Sequence, residues 1–235
     1  MRKINQKIIA VIVTFLISSS LSLDSFSQSN AYEVLFDGKS LDKWCPKNAP
    51  NSAIKGWKIE DGMLFMNGEG GGDIITKEKY SDFELVFEFN LTENANSGIK
   101  YFVDTIYNEK TGNMMVNGPE YQIIDDYNYK GVKDDPNGTT STGAAYLFYP
   151  PKNKELKPHG SWNQGKIVAK GKKVSHYLNG KKLVSYTRGN KDFLKKKSEN
   201  KFKDDKNYGE LEEGHILITD HGDKVFFRNI KIKKL

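Results

Sequence analysis

An all-β sandwich of two antiparallel sheets in a single domain is the fold this sequence predicts, and three observations carry the prediction. The stretch "DFELVFEFNL" sets Phe83, Leu85, Phe87, Phe89 and Leu91 against Glu84, Val86, Glu88 and Asn90, the two-residue period of a half-buried strand. Further short extended segments follow one another along the chain, each bounded by Gly, Asn, Asp or Pro. No segment shows a core stripe at helical spacing, and there is no GxGxxG fingerprint, phosphate-binding loop or internal repeat.

The elements can be justified in order. "MRKINQK" is basic and "IIAVIVTFLISSSLSL" is apolar; with Ser25-Phe26-Ser27 they read as a secretory signal over residues 1–27, cut before Gln28. An uncleaved N-terminal anchor is the alternative. The domain then occupies 28–235 in a periplasmic or secreted protein, with no membrane span after cleavage. Its extended segments are "YEVLFDG", "GWKIEDGMLFM", "DFELVFEFNL", "SGIKYFV", "EYQIID", "GAAYLFY" and "WNQGKIVAKG". "KVSHYLNGKKLVSY" reads as a hairpin turning at Asn179-Gly180, a dipeptide suited to positive φ. "HILITDHGDKVFFRNIKIKK" reads as a second ribbon turning near His221-Gly222-Asp223. Lys191 to Phe202 is the one candidate helix, short and lysine-rich.

Composition narrows the function classes. The net charge is +6, and it falls to +4 once Arg2, Lys3, Lys7 and Asp24 leave with the leader. In "KDFLKKKSENKFKDDK" the lysines are interleaved with acids, a solvated face rather than a phosphate track, so no nucleic-acid partner is expected. Cys45 is the only cysteine, which excludes an intrachain disulfide and a cysteine metal site. The loop "DDYNYKGVKDDPNGTT" carries Asp and Asn, oxygen ligands suited to Ca2+, without the spacing of an EF-hand. A bound Ca2+ or an ordinary turn both fit it. No metal site and no other cofactor is assigned, and nothing sets the oligomeric state.

"LFDGKSLDKW", "GWKIEDGMLFM", "FELVFEFNLTENANSGIKYFV", "GPEYQIIDD", "TGAAYLFYPP", "WNQGKIVAKGKKVSHYLNGKKLVSY" and "GHILITDHGDKVFFRNIKIK" occur in that order from about Leu35 to the C-terminus. Together they resemble the 3-keto-disaccharide hydrolase family. The resemblance implies a concanavalin A-like jelly roll, a small carbohydrate substrate, and cleavage of 3-keto-glycosides by 1,2-elimination, by hydration, or by both. Thr219 and Lys100 stand where many members carry Gln, and an aromatic residue or Arg.

The stretch Gly118 to Asp126 is where that chemistry would sit. Strand alternation puts Glu120 and Gln122 on one surface and Tyr121 and Ile123 on the other. A carbonyl at C3 acidifies the C2 proton, so elimination needs one base, one donor for the enolate oxygen and one acid at the leaving oxygen. Glu120 is the candidate base and Gln122 a ligand for sugar hydroxyls. Lys100 is either the enolate's cation or a solvated edge lysine, and His221 either the acid or a turn residue. Asp220 either orients His221 and a sugar hydroxyl or caps the turn. Tyr146 and Trp162 are candidates for stacking on a sugar. His176 reads as a satisfied, half-buried histidine.

Two alternatives remain. A non-catalytic carbohydrate-binding jelly roll would use the same face. A retaining glycosidase would pair Glu120 with Asp125, since the stretch is similar to the E-x-D-x-x-E strand of glycoside hydrolase family 16. Alternation turns Asp125 away from Glu120, and only a β-bulge would bring both into one cleft.

Overall fold

The computed structural model describes residues 31–68 and 70–235; the expected leader and its cut before Gln28 lie outside the described residues. In chain order the strands are β1 (Glu33–Phe36), β2 (Trp44–Pro46), β3 (Trp57–Glu60), β4 (Met63–Met66), β5 (Ile74–Thr76), β6 (Phe83–Leu91), β7 (Asn96–Tyr107), β8 (Met114–Asn117), β9 (Glu120–Ile124), β10 (Asn163–Lys170), β11 (Lys173–Leu178), β12 (Lys181–Thr187), β13 (His215–Ile218) and β14 (Val225–Lys234). One helix, α1 (Lys191–Ser198), precedes β13. Eight strands form a sheet in the order β12-β11-β10-β6-β14-β4-β3, with β1 also on β14. Six form the other, β2-β5-β13-β7-β8, with β9 also on β7. This is the two-sheet antiparallel jelly-roll sandwich that the sequence predicts.

The period-two strand is β6, central in its sheet between β10 and β14. Phe83, Leu85, Phe87 and Phe89 are fully buried in the inter-sheet core, and Glu84 and Glu88 are half-buried on the other side. Each such apolar side chain contributes roughly 1.5–3 kcal/mol by leaving water. From the opposite sheet Ile99, Tyr101, Tyr121, Ile123, Ile216 and Ile218 complete this core. A second, smaller cluster of Cys45, Ile75, Val103 and Leu217 lies on the outer face of the six-stranded sheet. β7 serves both clusters because Phe102, at φ 51°, breaks the alternation; Tyr101 and Phe102 both face inward and Val103 returns to the outer face.

Local turn chemistry decides some connections. Asn179 and Gly180 have φ of 49° and 83°, and β11 and β12 pair as the expected hairpin. The second ribbon is a correction: β13 pairs with β5 and β7, whereas β14 pairs with β6, β4 and β1. The turn around His221 therefore crosses from one sheet to the other instead of closing a hairpin. "GAAYLFY" is also not a strand; Ala145 forms single bridges to Tyr121 and Tyr149. α1 stops at Ser198, short of Phe202; the Asn190 side chain caps its start by accepting from the Phe193 amide at 2.8 Å. No helix among the described residues is long and apolar enough to cross a membrane.

Candidate active site

The register of β7 and β9 builds one surface. Lys100 lies opposite Glu120, and Gly98 opposite Gln122. Because Tyr121 and Ile123 are in the core, Glu120 and Gln122 project from the outer face of the six-stranded sheet, as alternation predicts. On the far side of β9 the segment after Thr142 runs alongside: Gly143 N donates to Gln122 O at 2.8 Å, and Tyr146 N donates to Glu120 O at 3.0 Å. Glu120 is thus flanked by the half-buried Tyr146 on one side and by Lys100 on the other.

Glu120 is only 5% exposed, and its Oε1 is buried without a hydrogen-bond partner. Burial raises its carboxyl above the ordinary glutamate value; the charges of Lys100, His221 and Lys201 oppose that rise, and Asp73 adds to it. Lys100 makes no ion pair with the carboxylate across the strand; its Nζ donates to Asn117 Oδ1 at 3.0 Å. Gln122 Nε2 donates to Asn96 Oδ1 at 3.1 Å. The site is therefore a buried carboxyl group with an unpartnered oxygen, opposed electrostatically by nearby lysines, with the Gln122 and Asn96 amides bonded beside it.

The crossing turn delivers the next group. Asp220 accepts from the amides of Gly72 and Gly222, each at 2.7 Å, while its own amide donates to Asp73 Oδ1 at 2.9 Å. Asp73 is ion-paired with Lys47 at 2.5 Å. Asp220 is accordingly a latch between the turn and the glycine loop, and His221 beside it is exposed and within electrostatic reach of Glu120.

Two of the expected site residues lie elsewhere. Asp125, at the end of β9, is buried and accepts from Asn94 N at 2.8 Å, Tyr127 N at 3.0 Å, Asn128 N at 3.2 Å and Asn128 Nδ2 at 2.9 Å. His159 Nε2 lies 3.1 Å from its Oδ1. It organises a loop and is not free to hold a sugar or to pair with Glu120. Trp162 packs under the Arg228 guanidinium, 3.9 Å from its ring, and Arg228 Nε bonds to Glu88 at 2.7 Å. That places Trp162 on the outer side of the eight-stranded sheet, because it precedes β10 and not a strand of the site. His176 is fully buried, more so than expected, with its ring against Tyr101 Oη at 2.7 Å and Gly143 O at 3.1 Å. Burial holds its pKa down at about 4, so it is neutral.

Lys201, Asn117, Asn96, Asp73 and Tyr208 were not singled out by the sequence. Lys201 Nζ stands 3.3 Å from Tyr146 Oη and 4.6 Å over that ring, yet it belongs to the charge-interleaved segment that reads as a solvated face. Tyr208 is buried, with an unpartnered hydroxyl that feels the charge of Glu120. One aspartate of the Asp-rich loop is paired from outside it: Lys154 Nζ meets Asp126 at 2.6 Å and Ser141 Oγ at 3.0 Å, and it also donates to Pro136 O. No group of three or more His, Cys, Asp or Glu among the described residues is arranged to hold a metal ion.

A profile of the 3-keto-alpha-glucoside-1,2-lyase-like domain matches residues 31–233. A protein of Bacteroides thetaiotaomicron named 3-keto-disaccharide hydrolase is 32% identical, over 88% of this chain and 79% of that one. A crystal structure from Parabacteroides distasonis, described as a candidate glycosyl hydrolase, superposes with a TM-score of 0.74 at 33% identity, covering 88% of this chain and 95% of the other. A second from the same organism, described in the same way, gives 0.64 at 28% identity, covering 88% and 100%. With the profile spanning almost all of the described chain, this protein belongs to the 3-keto-alpha-glucoside-1,2-lyase-like domain family.

Proposed function

We propose that this protein is an enzyme acting on carbohydrates that cleaves the glycosidic bond of 3-keto-glycosides, by proton abstraction at C2 and elimination, by hydration, or by both. The observation that carries the reading is Glu120: a buried carboxyl group with no protein donor on Oε1, within electrostatic reach of Lys100 and Lys201, in a member of this family. A carboxylate stripped of donors is a stronger base, and a pKa above the ordinary value suits proton abstraction near neutral pH.

In this scheme Glu120 takes the C2 proton, the electron pair moves into the C3 carbonyl, and Lys100 stabilises the enolate oxygen. The enolate collapses with loss of the C1 oxygen substituent, which His221 protonates as it leaves; the product is a glycal that water can then hydrate. Gln122 and Tyr146 orient the ring. The residues need no metal or organic cofactor for these steps. Asp125, fully engaged in its loop, weakens the reading as a retaining glycosidase. Export to the periplasm or beyond is part of the proposal and rests on residues 1–27 alone.

Incubating the purified protein with a 3-keto-glucoside and with its unoxidised parent tests the reading. The keto compound is expected to be consumed and the parent left intact. Turnover of the parent would support a retaining glycosidase, and binding of either without turnover a lectin.

A further inference from the structure

Oppositely charged residues placed directly across two strands ordinarily pair. Lys100 and Glu120 are such neighbours, and they do not pair. Two features keep them apart. First, the space a Cβ on Gly98 would fill is taken by the Glu120 side chain: that Cβ would lie 2.2 Å from Oε1, 2.9 Å from Cδ and 3.1 Å from Cγ. Glu120 leans diagonally onto the bare backbone of the residue two before Lys100. Gly98 is not one of the residues at positive φ, so its backbone conformation is open to any residue and the missing side chain is what matters. Second, Asn117 Oδ1, fixed by the Gly118 amide at 3.0 Å, draws the Lys100 ammonium the other way.

We propose that Gly98 and Asn117 are positioning residues that hold the Glu120 carboxylate and the Lys100 ammonium apart, so that the base stays unpaired and both groups are left to meet the substrate. A collapsed pair would neutralise both. The carboxylate would lose its basicity to the cation, and the ammonium would no longer be available to an enolate. The catalytic half of this inference rests on Glu120 being the base; the seat on Gly98 does not.

The test uses the full chain. Gly98→Ala and Asn117→Ala are each expected to lower kcat on a 3-keto-glucoside by about 10- to 100-fold, in line with the cost of misplacing a reacting group, and to move the acid limb of kcat/KM to lower pH. A merely structural role would leave that limb in place. Gly98→Ala is also introduced into Glu120→Ala. It is expected to lower Tm when Glu120 is present, and to leave or raise Tm when that side chain is gone, because the space is then vacant and Ala orders a strand better than Gly. Equal losses of Tm in both backgrounds, or acid limbs that do not move in either single variant, would overturn the proposal. The Tm comparison needs no substrate, so it still decides the seat if full activity of Glu120→Gln shows that the base lies elsewhere.

Discussion

Glu120 opens β9 and Asp125 follows its last residue, both almost wholly buried at 5% and 1% exposure, and their proton affinities move in opposite directions. Burial pushes both carboxyls up. At Asp125 that push is overcome by hydrogen bonds from the Asn94 amide, the Asn128 side chain, the Tyr127 amide and His159, which hold it below the ordinary value. At Glu120 no donor answers the buried oxygen, and more distant cations only moderate the rise. Burial alone therefore does not distinguish a reactive carboxylate from a structural one; the number of donors it has been given does.

The largest expected effect is on chemistry. Glu120→Gln keeps shape while removing the proton acceptor, and turnover of a 3-keto-glucoside should fall by about 10² or more, in line with general-base contributions. Asp125→Asn should leave kcat of the folded protein within about threefold, the range in which positioning is intact. Equal damage from both changes would break the comparison and restore a two-carboxylate mechanism.

Next in size is stability. Asp125→Asn weakens several charge-assisted hydrogen bonds and should cost about 2 kcal/mol of folding free energy, read by denaturant titration at neutral pH. The folded pKa of Asp125 lies below 3.8, so this stabilisation is present above 3.8 and is lost as pH falls through the folded value. Glu120 has the opposite sign. Its folded pKa lies above 4.5, so its ionisation costs stability, and that cost is absent below 4.5 and complete above the folded value. Glu120→Gln should thus raise Tm at neutral pH, with the gain vanishing in scans below 4.5. A loss of Tm at neutral pH would mean that the carboxylate has partners after all.

The smallest expected effect sharpens the boundary of the site. Trp162→Ala removes a ring stacked on Arg228 at the other sheet; it should change kcat/KM by less than about twofold, whereas Tyr146→Phe, which removes the contact to Lys201, should raise KM by about threefold with little change in kcat, the signature of lost positioning.

What the sequence determined by itself is what a strand's two-residue period can carry. It placed Phe83, Leu85, Phe87 and Phe89 in the core, turned the chain at Asn179-Gly180, and put Glu120 and Gln122 together on one face opposite Tyr121 and Ile123, because alternation and turn dihedrals are properties of neighbours in the chain. Only the tertiary structure decided which sheet each strand joins. The turn at His221 crosses between sheets, and that crossing brings His221 within electrostatic reach of Glu120. Trp162 belongs to the wrong sheet for the site, and Lys201 returns over Tyr146 from a segment whose lysines look merely solvated. The unpaired state of Glu120 was equally invisible. The pairing of β7 with β9 sets Lys100 opposite it, and the separation of the two depends on a glycine two residues before Lys100 and on an asparagine from β8, contacts between strands whose order no local pattern fixes.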